Sequence, residues 1–472
     1  MSIRIFDPVI RIATVRTRMP FRYGIATMTE VPHIFVEARV RSRGRDARGL
    51  AADHLPPKWF TKNVETSFHD DLREMLAVIS HAADAAVALG ECATVFDAWR
   101  ALYAAQQAWA TPTCRPPLLW NFGVSLIERV MIDGWCRANE TTLARAVREN
   151  GLGVRLHEVA PELPGTAADW LPSDPLTEII VRHTVGLSDP LTDVDIAPGE
   201  RVDDGLPQTL EECVAAHRLT HLKIKLAGLP DVDAARLRAI AELIGPGCSF
   251  TLDGNENYRG VGPLRELWGA LRSDAEVASF MDGLIAIEQP LHRDVALSDS
   301  TATEFRAWAD RPPLIIDESD AELRSLDQAL ACGYIGTSHK NCKGIFKSLI
   351  NACRLQQRAS LGERVLLTAE DLSNIGPIAL QQDCAMVGIL GIPHAERNGH
   401  HYFAGLREWP QEMQQATLTA HPDLYGMHAG FPALRVERGK IAIGSTLAAP
   451  FGYSSSLDLS RFPLIEDWRR QR

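Results

Sequence analysis

The sequence predicts an α/β protein built around a closed (β/α)8-type barrel, with a mixed α+β region ahead of it. Three observations carry that reading. From about residue 176, short apolar runs alternate with segments that suit helices, the rhythm of a parallel sheet. Before about residue 160 the pattern differs, with long alternating strands followed by helical periodicity. Several of the later runs end on an acid or carry lysine, the place where a parallel barrel gathers its functional groups.

In chain order, residues 2–17 and 32–42 alternate as strands do, with Ile34, Val36 and Ala38 set against Phe35, Glu37 and Arg39. PFRYGIATMTE (20–30), which carries Pro and Gly, reads as a loop between them, and DHLPPKW (53–59) as a second. Over 120–138, Val124, Ile127, Val130 and Met131 recur at helical spacing. LPGTAADWLPSDP (163–175) reads as a linker. The runs EIIVRH, LKIKL, SFTLD, LIAIEQ, LIIDES, YIGTSH and RVLLTAE then read as strands. Between two of them, residues 231–245 form the clearest helix, ended by Gly-Pro-Gly. Seven or eight such units favour closure into a barrel over an open sheet. Neither GxGxxG nor GxxxxGK[ST] opens any helix, which removes the usual phosphate-binding reading of an α/β chain.

Composition narrows the partners. Forty-nine basic and sixty acidic residues give a net charge of −11, which argues against a nucleic-acid partner. The basic end RRQR (469–472) reads as a solvated tail. The nine cysteines form no CxxC pair and point to reduced thiols rather than a disulfide framework. No stretch resembles a signal peptide or a membrane span, so the expectation is a soluble cytoplasmic protein with no membrane partner.

The chemistry sits at the strand ends. Asp253 ends SFTLD, Glu288 ends LIAIE and Asp317 ends LIID, with gaps of 35 and 29 residues, about one βα unit each. Singly, each acid reads as a strand-end cap or a surface charge. Three at matched positions need a divalent cation to offset their repulsion, and hard oxygen donors suit Mg2+ better than zinc. In LKIKL, Lys223 and Lys225 share a strand face, and Leu222, Ile224 and Leu226 fit the helix-covered outside, which places both lysines in the barrel. Near a cation and a second ammonium, the neutral form that a base requires is favoured. A KxK pair by itself fits an exposed edge strand equally well. Lys340 shares a face with Ser338 and faces these lysines across the barrel, while Lys343 is a rival that falls beyond the strand beside Gly344. Glu370 and Glu396 end the last two runs and could line a pocket. The doublet His400–His401 is tempting as a soft-metal site but reads more ordinarily as a loop pair.

The order KxK, Asp253-x-Asn255, Glu288-x-Pro290, Asp317-Glu318-Ser319 and a later lysine resembles the enolase superfamily, and within it the muconate-lactonizing-enzyme group of the mandelate racemase/muconate lactonizing enzyme family. The resemblance spans roughly residues 1–470, with motifs that are specific in combination and weak singly. It implies a modified TIM-type barrel over 176–400, an α+β capping domain over 1–165, and a segment 401–472 that returns to the cap. It also implies Mg2+ on Asp253, Glu288 and Asp317. Lys225 and Lys340 would be acid/bases on opposite faces of the substrate, with Lys223 tuning Lys225 and touching the substrate carboxylate. Asn255 and Glu396 would lie beside the substrate, under two cap loops carrying Phe21, Tyr23 and Met28 and, on the second, His54 and Trp59.

The implied activity is Mg2+-dependent removal of the α-proton of a small-molecule carboxylate to give an enediolate, as a racemase, epimerase or cycloisomerase. An acid-sugar dehydratase and a non-catalytic ligand-binding barrel are the alternatives. TAEDLSN (368–374) lacks the histidine of a mandelate-racemase-like dyad, and HAERNGHH (394–401) lacks the Asp-x-Asp expected of a dipeptide epimerase. Assembly as a homo-oligomer through outer helices and caps is implied by the same resemblance.

Overall fold

A computed structural model describes residues 2–23, 25–455 and 457–471, with the side chains of Tyr23 and Gln471 outside the description. The chain starts with an antiparallel meander of β1 (Ile3–Tyr23), β2 (Ala26–Ser42) and β3 (Arg45–His54). Residues 31–36 of β2 are buried without a break because both faces of the sheet are covered. Phe35 meets Trp409 and Phe462 on one face, with ring centroids 5.6 and 5.1 Å apart, and the helix Pro117–Ala138 packs against β2 and β3.

Two segments expected to be loops are ordered. Residues 20–23 and 26–30 continue β1 and β2, pairing Phe21 with Met28 up to the turn. Pro20 is tolerated there because the pairing shifts register between Arg16 and Phe21, where the ladder does not need its missing N–H. In DHLPPKW, Asp53 and His54 end β3, and Pro57 opens the short helix Pro57–Thr61, a position that suits a residue with no N–H to donate. By contrast, the linker-like residues 163–175 contain only the short turn Ala167–Asp169.

Helices Phe68–Ala88, Val95–Ala110 and Pro117–Ala138 complete the N-terminal layer. Ser67 and Thr94 cap the first two by accepting from the N–H groups of Asp70 and Asp97. The third is buried almost all round, as expected of a helix clamped between two bodies. It reaches the barrel by donating from Asn121 to the Lys343 carbonyl at 2.8 Å, and Glu128 accepts from the Phe346 N–H at 2.6 Å.

The barrel comprises β4 (Glu178–Val185), β5 (His221–Lys225), β6 (Ser249–Asp253), β7 (Leu284–Glu288), β8 (Leu314–Ile316), β9 (Gly336–His339), β10 (Leu366–Ala369) and β11 (His394–Arg397). Each pairs in parallel with the next, and β11 pairs with β4 to close the ring. The expected helix after β5 spans Pro230–Ile244 and stops at Gly245, whose φ of 73° favours glycine. Beyond the barrel, β12 (Tyr425–His428) and β13 (Phe431–Leu434) form a hairpin, and β14 (Lys440–Ala442) adds antiparallel to β4. The last residues reach the meander, where the Phe462 carbonyl accepts from Arg11 at 2.8 Å. Among the described residues, no helix is long and apolar enough to cross a membrane, and all nine cysteines are free.

Candidate active site

Strand register gathers the charged residues. In β5, Leu222 and Ile224 turn outward into the helical layer while Lys223 and Lys225 turn inward. Lys225, Asp253 and Glu288 stand side by side on β5, β6 and β7. Asp317, Lys340 and Glu370 are the residues just past β8, β9 and β10, and Glu396 lies in β11. None of these eight is more than 6% exposed, so their charges have to be balanced by one another.

The contacts show how. Lys223 Nζ lies 2.7 Å from Glu288, 2.8 Å from both Glu370 and Glu396, and 3.0 Å from Asp253. Lys225 Nζ is 2.6 Å from Asp253. Lys340 Nζ bridges Asp317 at 3.0 Å and Glu370 at 2.9 Å. Lys343 turns the other way, donating to the Asp317 and Ser338 carbonyls and to Ser338 Oγ, and pairing with Asp317 at 2.8 Å.

Five carboxylates thus face four ammoniums, one negative charge in excess. That excess settles on Glu288, where burial and then Glu370 drive the pKa well up against the pull of Lys223. Asp317 stays low: burial and Glu370 push it up, but Lys340, Lys343 and Lys223 outweigh them. The lysines are held charged by their neighbours. Burial lowers the pKa of Lys223, Lys225 and Lys340, yet the carboxylates around them raise it further, and all three are held as ammoniums. The sequence reading weighed the neighbouring ammonium and a cation but not the number of acids.

The donor set fits a hard divalent cation. Glu288, Asp317 and Glu370 each bring an oxygen within 4.8 Å of the other two. Glu288 Oε2 and Glu370 Oε1 are buried with no hydrogen-bond partner among the described residues, an unfavourable state that a cation would relieve. Asp253 adjoins this trio through Lys223, which it shares with Glu288.

Residues that sequence reasoning missed hold the acids in place. Gln289 donates to the Leu291 carbonyl and to Ser319 Oγ, both at 2.8 Å, and accepts from the N–H groups of Asp317 and Ser319 at 2.8 and 3.0 Å. It therefore ties the end of β7 to the end of β8. Its signal was the IEQP string, read for Glu288 and Pro290 but not for the glutamine between them. Gly254 lets the turn after β6 approach the next one, since a Cβ there would lie 2.5 Å from Pro290 Cα. Asn255 follows in the left-handed region at φ 38° and donates to Glu318 at 3.1 Å. Burial and then Asp317 push the Glu318 carboxyl up to about 8.

A partly open pocket lies over this floor. Lys225, Lys340, Asn255, Glu370 and Glu396 line it from the barrel, whereas Lys223 and Lys343 do not. Phe21, Met28 and Trp59 line it from the cap. The Trp59 ring covers the Lys340 ammonium at 4.1 Å, and Phe21 stacks on Tyr402 at 4.1 Å. Arg293 fixes the Trp59 helix by donating to the Trp59 and Phe60 carbonyls while gripping Glu256 with two bonds of 2.7 Å. The side chain of Tyr23 lies outside the described residues. His54, expected on the wall, lies behind it instead: it is fully buried, its Nδ1 sits 3.3 Å from the Leu372 carbonyl, and burial lowers it to about 4. His400 and His401 are not in a loop either but belong to the short helix Gly399–Tyr402, with His401 buried and His400 half-buried.

Residues 206–353 match the family described as enolase C-terminal domain-like. The barrel is similar to that of enolase-superfamily proteins. No curated protein sequence matches the chain. Among solved structures, a dipeptide epimerase from Enterococcus faecalis V583, complexed with Mg and L-Leu-L-Tyr, superposes with a TM-score of 0.62 at 14% identity, over 96% of this chain and 100% of its own. A muconate lactonizing enzyme from Pseudomonas fluorescens, complexed with muconolactone, gives 0.59 at 16% identity, over 97% and 98%. An enolase from Bradyrhizobium, complexed with magnesium and mandelic acid, gives 0.57 at 14% identity, over 100% and 98%. The chain thus shares its fold with a dipeptide epimerase and a muconate lactonizing enzyme.

Proposed function

We propose that this chain is a Mg2+-dependent enzyme that removes the α-proton of a small carboxylate substrate and returns a proton to the opposite face, as a racemase or epimerase does. The observation that carries the reading is the placement of two lysines in one cavity. Lys225 ends β5 and Lys340 follows β9, and four steps round a ring of eight strands put them across the barrel from each other. Cycloisomerisation would use the same pair.

Asp253, Glu288 and Asp317 would hold the cation, with Glu370 close enough to join them. Bound there, Mg2+ would supply Lewis-acid polarisation of the substrate carboxylate. A site with one negative charge in excess would become positive by one, the balance that a monocarboxylate restores. Once Asp253 and Glu370 give their charge to a cation, Lys225 and Lys340 lose the attraction that keeps them protonated, and one of them can serve as base. The other, still an ammonium, serves as the acid. Trp59, Phe21 and Met28 close the cavity and limit water at the carbon that loses its proton.

The ligands named with the neighbours (L-Leu-L-Tyr, muconolactone and mandelic acid) all carry a carboxylate, in keeping with this reading. Free thiols throughout suit a cytoplasmic setting. The test is exchange of the α-proton in deuterated water, followed by NMR with Mg2+ and a panel of carboxylates. Exchange is expected for at least one member. Lys225→Ala and Lys340→Ala should each lose exchange with one configuration of that compound. Exchange that survives both substitutions, or binding of panel members without any exchange, defeats the proposal.

A further inference from the structure

Away from the carboxylates, His183, Cys213 and His401 converge where β4 and β11 close the barrel. His183 lies near the end of β4, Cys213 in the helix Leu210–His217, and His401 in the helix Gly399–Tyr402. One donor atom from each lies within 4.8 Å of the other two. Cys213 Sγ approaches His401 Nδ1 at 3.5 Å, and the His183 and His401 rings meet edge to face at 4.9 Å. The three are 1%, 0% and 3% exposed. A tetrahedral zinc ion sets its sulfur and nitrogen donors roughly 3.3–3.8 Å apart, so small side-chain rotations would close this trio on one ion.

The surroundings suit that role. The Asp189 carboxylate lies 3.9 Å from His401 Nε2 and is itself held by Tyr402 Oη at 2.5 Å and the Gly186 N–H at 2.7 Å, as a carboxylate behind a ligating histidine commonly is. His400 Nε2 lies 3.2 Å from His183 Nδ1 and steadies that ring. Thr209 and Glu212 form a capping box at the start of the Cys213 helix, which fixes the thiol one turn in.

We propose that His183, Cys213 and His401 form a second cation site, chemically distinct from the carboxylate site, that takes a divalent ion favouring sulfur and nitrogen, such as Zn2+. One sulfur and two imidazoles select against Mg2+ just as the barrel carboxylates select for it. The site takes no part in proton transfer. It joins three segments at the closing seam of the barrel, and its effect is on stability.

The test uses the full chain, stripped of metal and then saturated with Mg2+ to occupy the carboxylates. Titration with Co2+ should raise a thiolate-to-cobalt charge-transfer band that Zn2+ abolishes, and Zn2+ should raise the melting temperature. Cys213→Ser should lack the band and gain nothing from Zn2+. In case that variant does not fold, X-ray absorption of the Zn2+-loaded wild type gives an independent reading, with one sulfur and imidazole nitrogens expected around the metal. An all-oxygen shell, no charge-transfer band in the wild type, or a band unchanged in Cys213→Ser overturns the site.

Discussion

The Lys340 ammonium lies 4.1 Å from the centroid of the Trp59 ring, so a side chain of the cap covers the charge of a barrel lysine. Among buried groups such a cation–π contact contributes about 2 kcal/mol. Trp59→Leu should therefore lower kcat/KM for the exchanging substrate by roughly 10- to 30-fold, and Trp59→Phe, which keeps a ring, should lose much less. Steady-state exchange rates for the two variants check this. Equal activity in both would reduce Trp59 to a packing residue.

Lys340 and Lys343 both touch Asp317, but only Lys340 opens to the cavity. Lys343 spends its ammonium on two backbone carbonyls, a hydroxyl and a carboxylate, none of which water can reach in its place. Lys343→Met should cost about 3–5 kcal/mol of stability, because it leaves buried acceptors unpaired. Lys340→Gln should fold with a much smaller loss and still abolish exchange from one configuration. Urea denaturation of both variants, run beside the exchange assay, separates the two roles.

How much of this could be read from the sequence depends on the distance over which each feature is encoded. The two-residue period of LKIKL places Lys223 and Lys225 on one face, and the acids at the ends of SFTLD, LIAIE and LIID fall where a parallel barrel exposes its strand ends. Both are local features. The hairpin 20–30 was obscured because Pro20 and Gly24 signal a break, whereas a register shift absorbs the proline and the strands run on. The full set of acids around the lysines was out of reach for another reason. The acids that surround Lys223 come from four strands or strand ends, and no local pattern reports that all four reach one nitrogen. The grip of Arg293 on the Trp59 helix was out of reach in the same way, since its partners lie in different domains.

Gln289 fixes Asp317 through the backbone of the turn after β8, with four hydrogen bonds from one side chain. Gln289→Leu should leave the acids present but poorly aligned. Loss of such supporting groups typically weakens metal binding by about 10- to 100-fold. Mg2+ titration followed by calorimetry measures this directly, and the rise in melting temperature that Mg2+ gives the wild type should shrink accordingly. An unchanged Mg2+ affinity would mean that Gln289 serves the turn alone.

Glu128 links the cap to the helix that follows Lys340, accepting from the Phe346 N–H at 2.6 Å. Burial drives its carboxyl from the ordinary 4.5 up to about 8, against the smaller opposing pull of the Phe346 and Ile345 N–H groups. Between pH 4.5 and 8 the folded chain therefore keeps a proton that the unfolded chain has lost. The sign follows: Glu128 favours folding most below pH 4.5, and that contribution falls as pH rises, until it is gone above about 8. Its size is at most roughly 5 kcal/mol. Glu128→Gln keeps an acceptor for Phe346 and has no charge to bury, so its stability should decline less across that window and exceed the wild type at pH 9. Denaturant unfolding from pH 5 to 9 measures both curves, and parallel curves would show that Glu128 stays ionised in the folded protein.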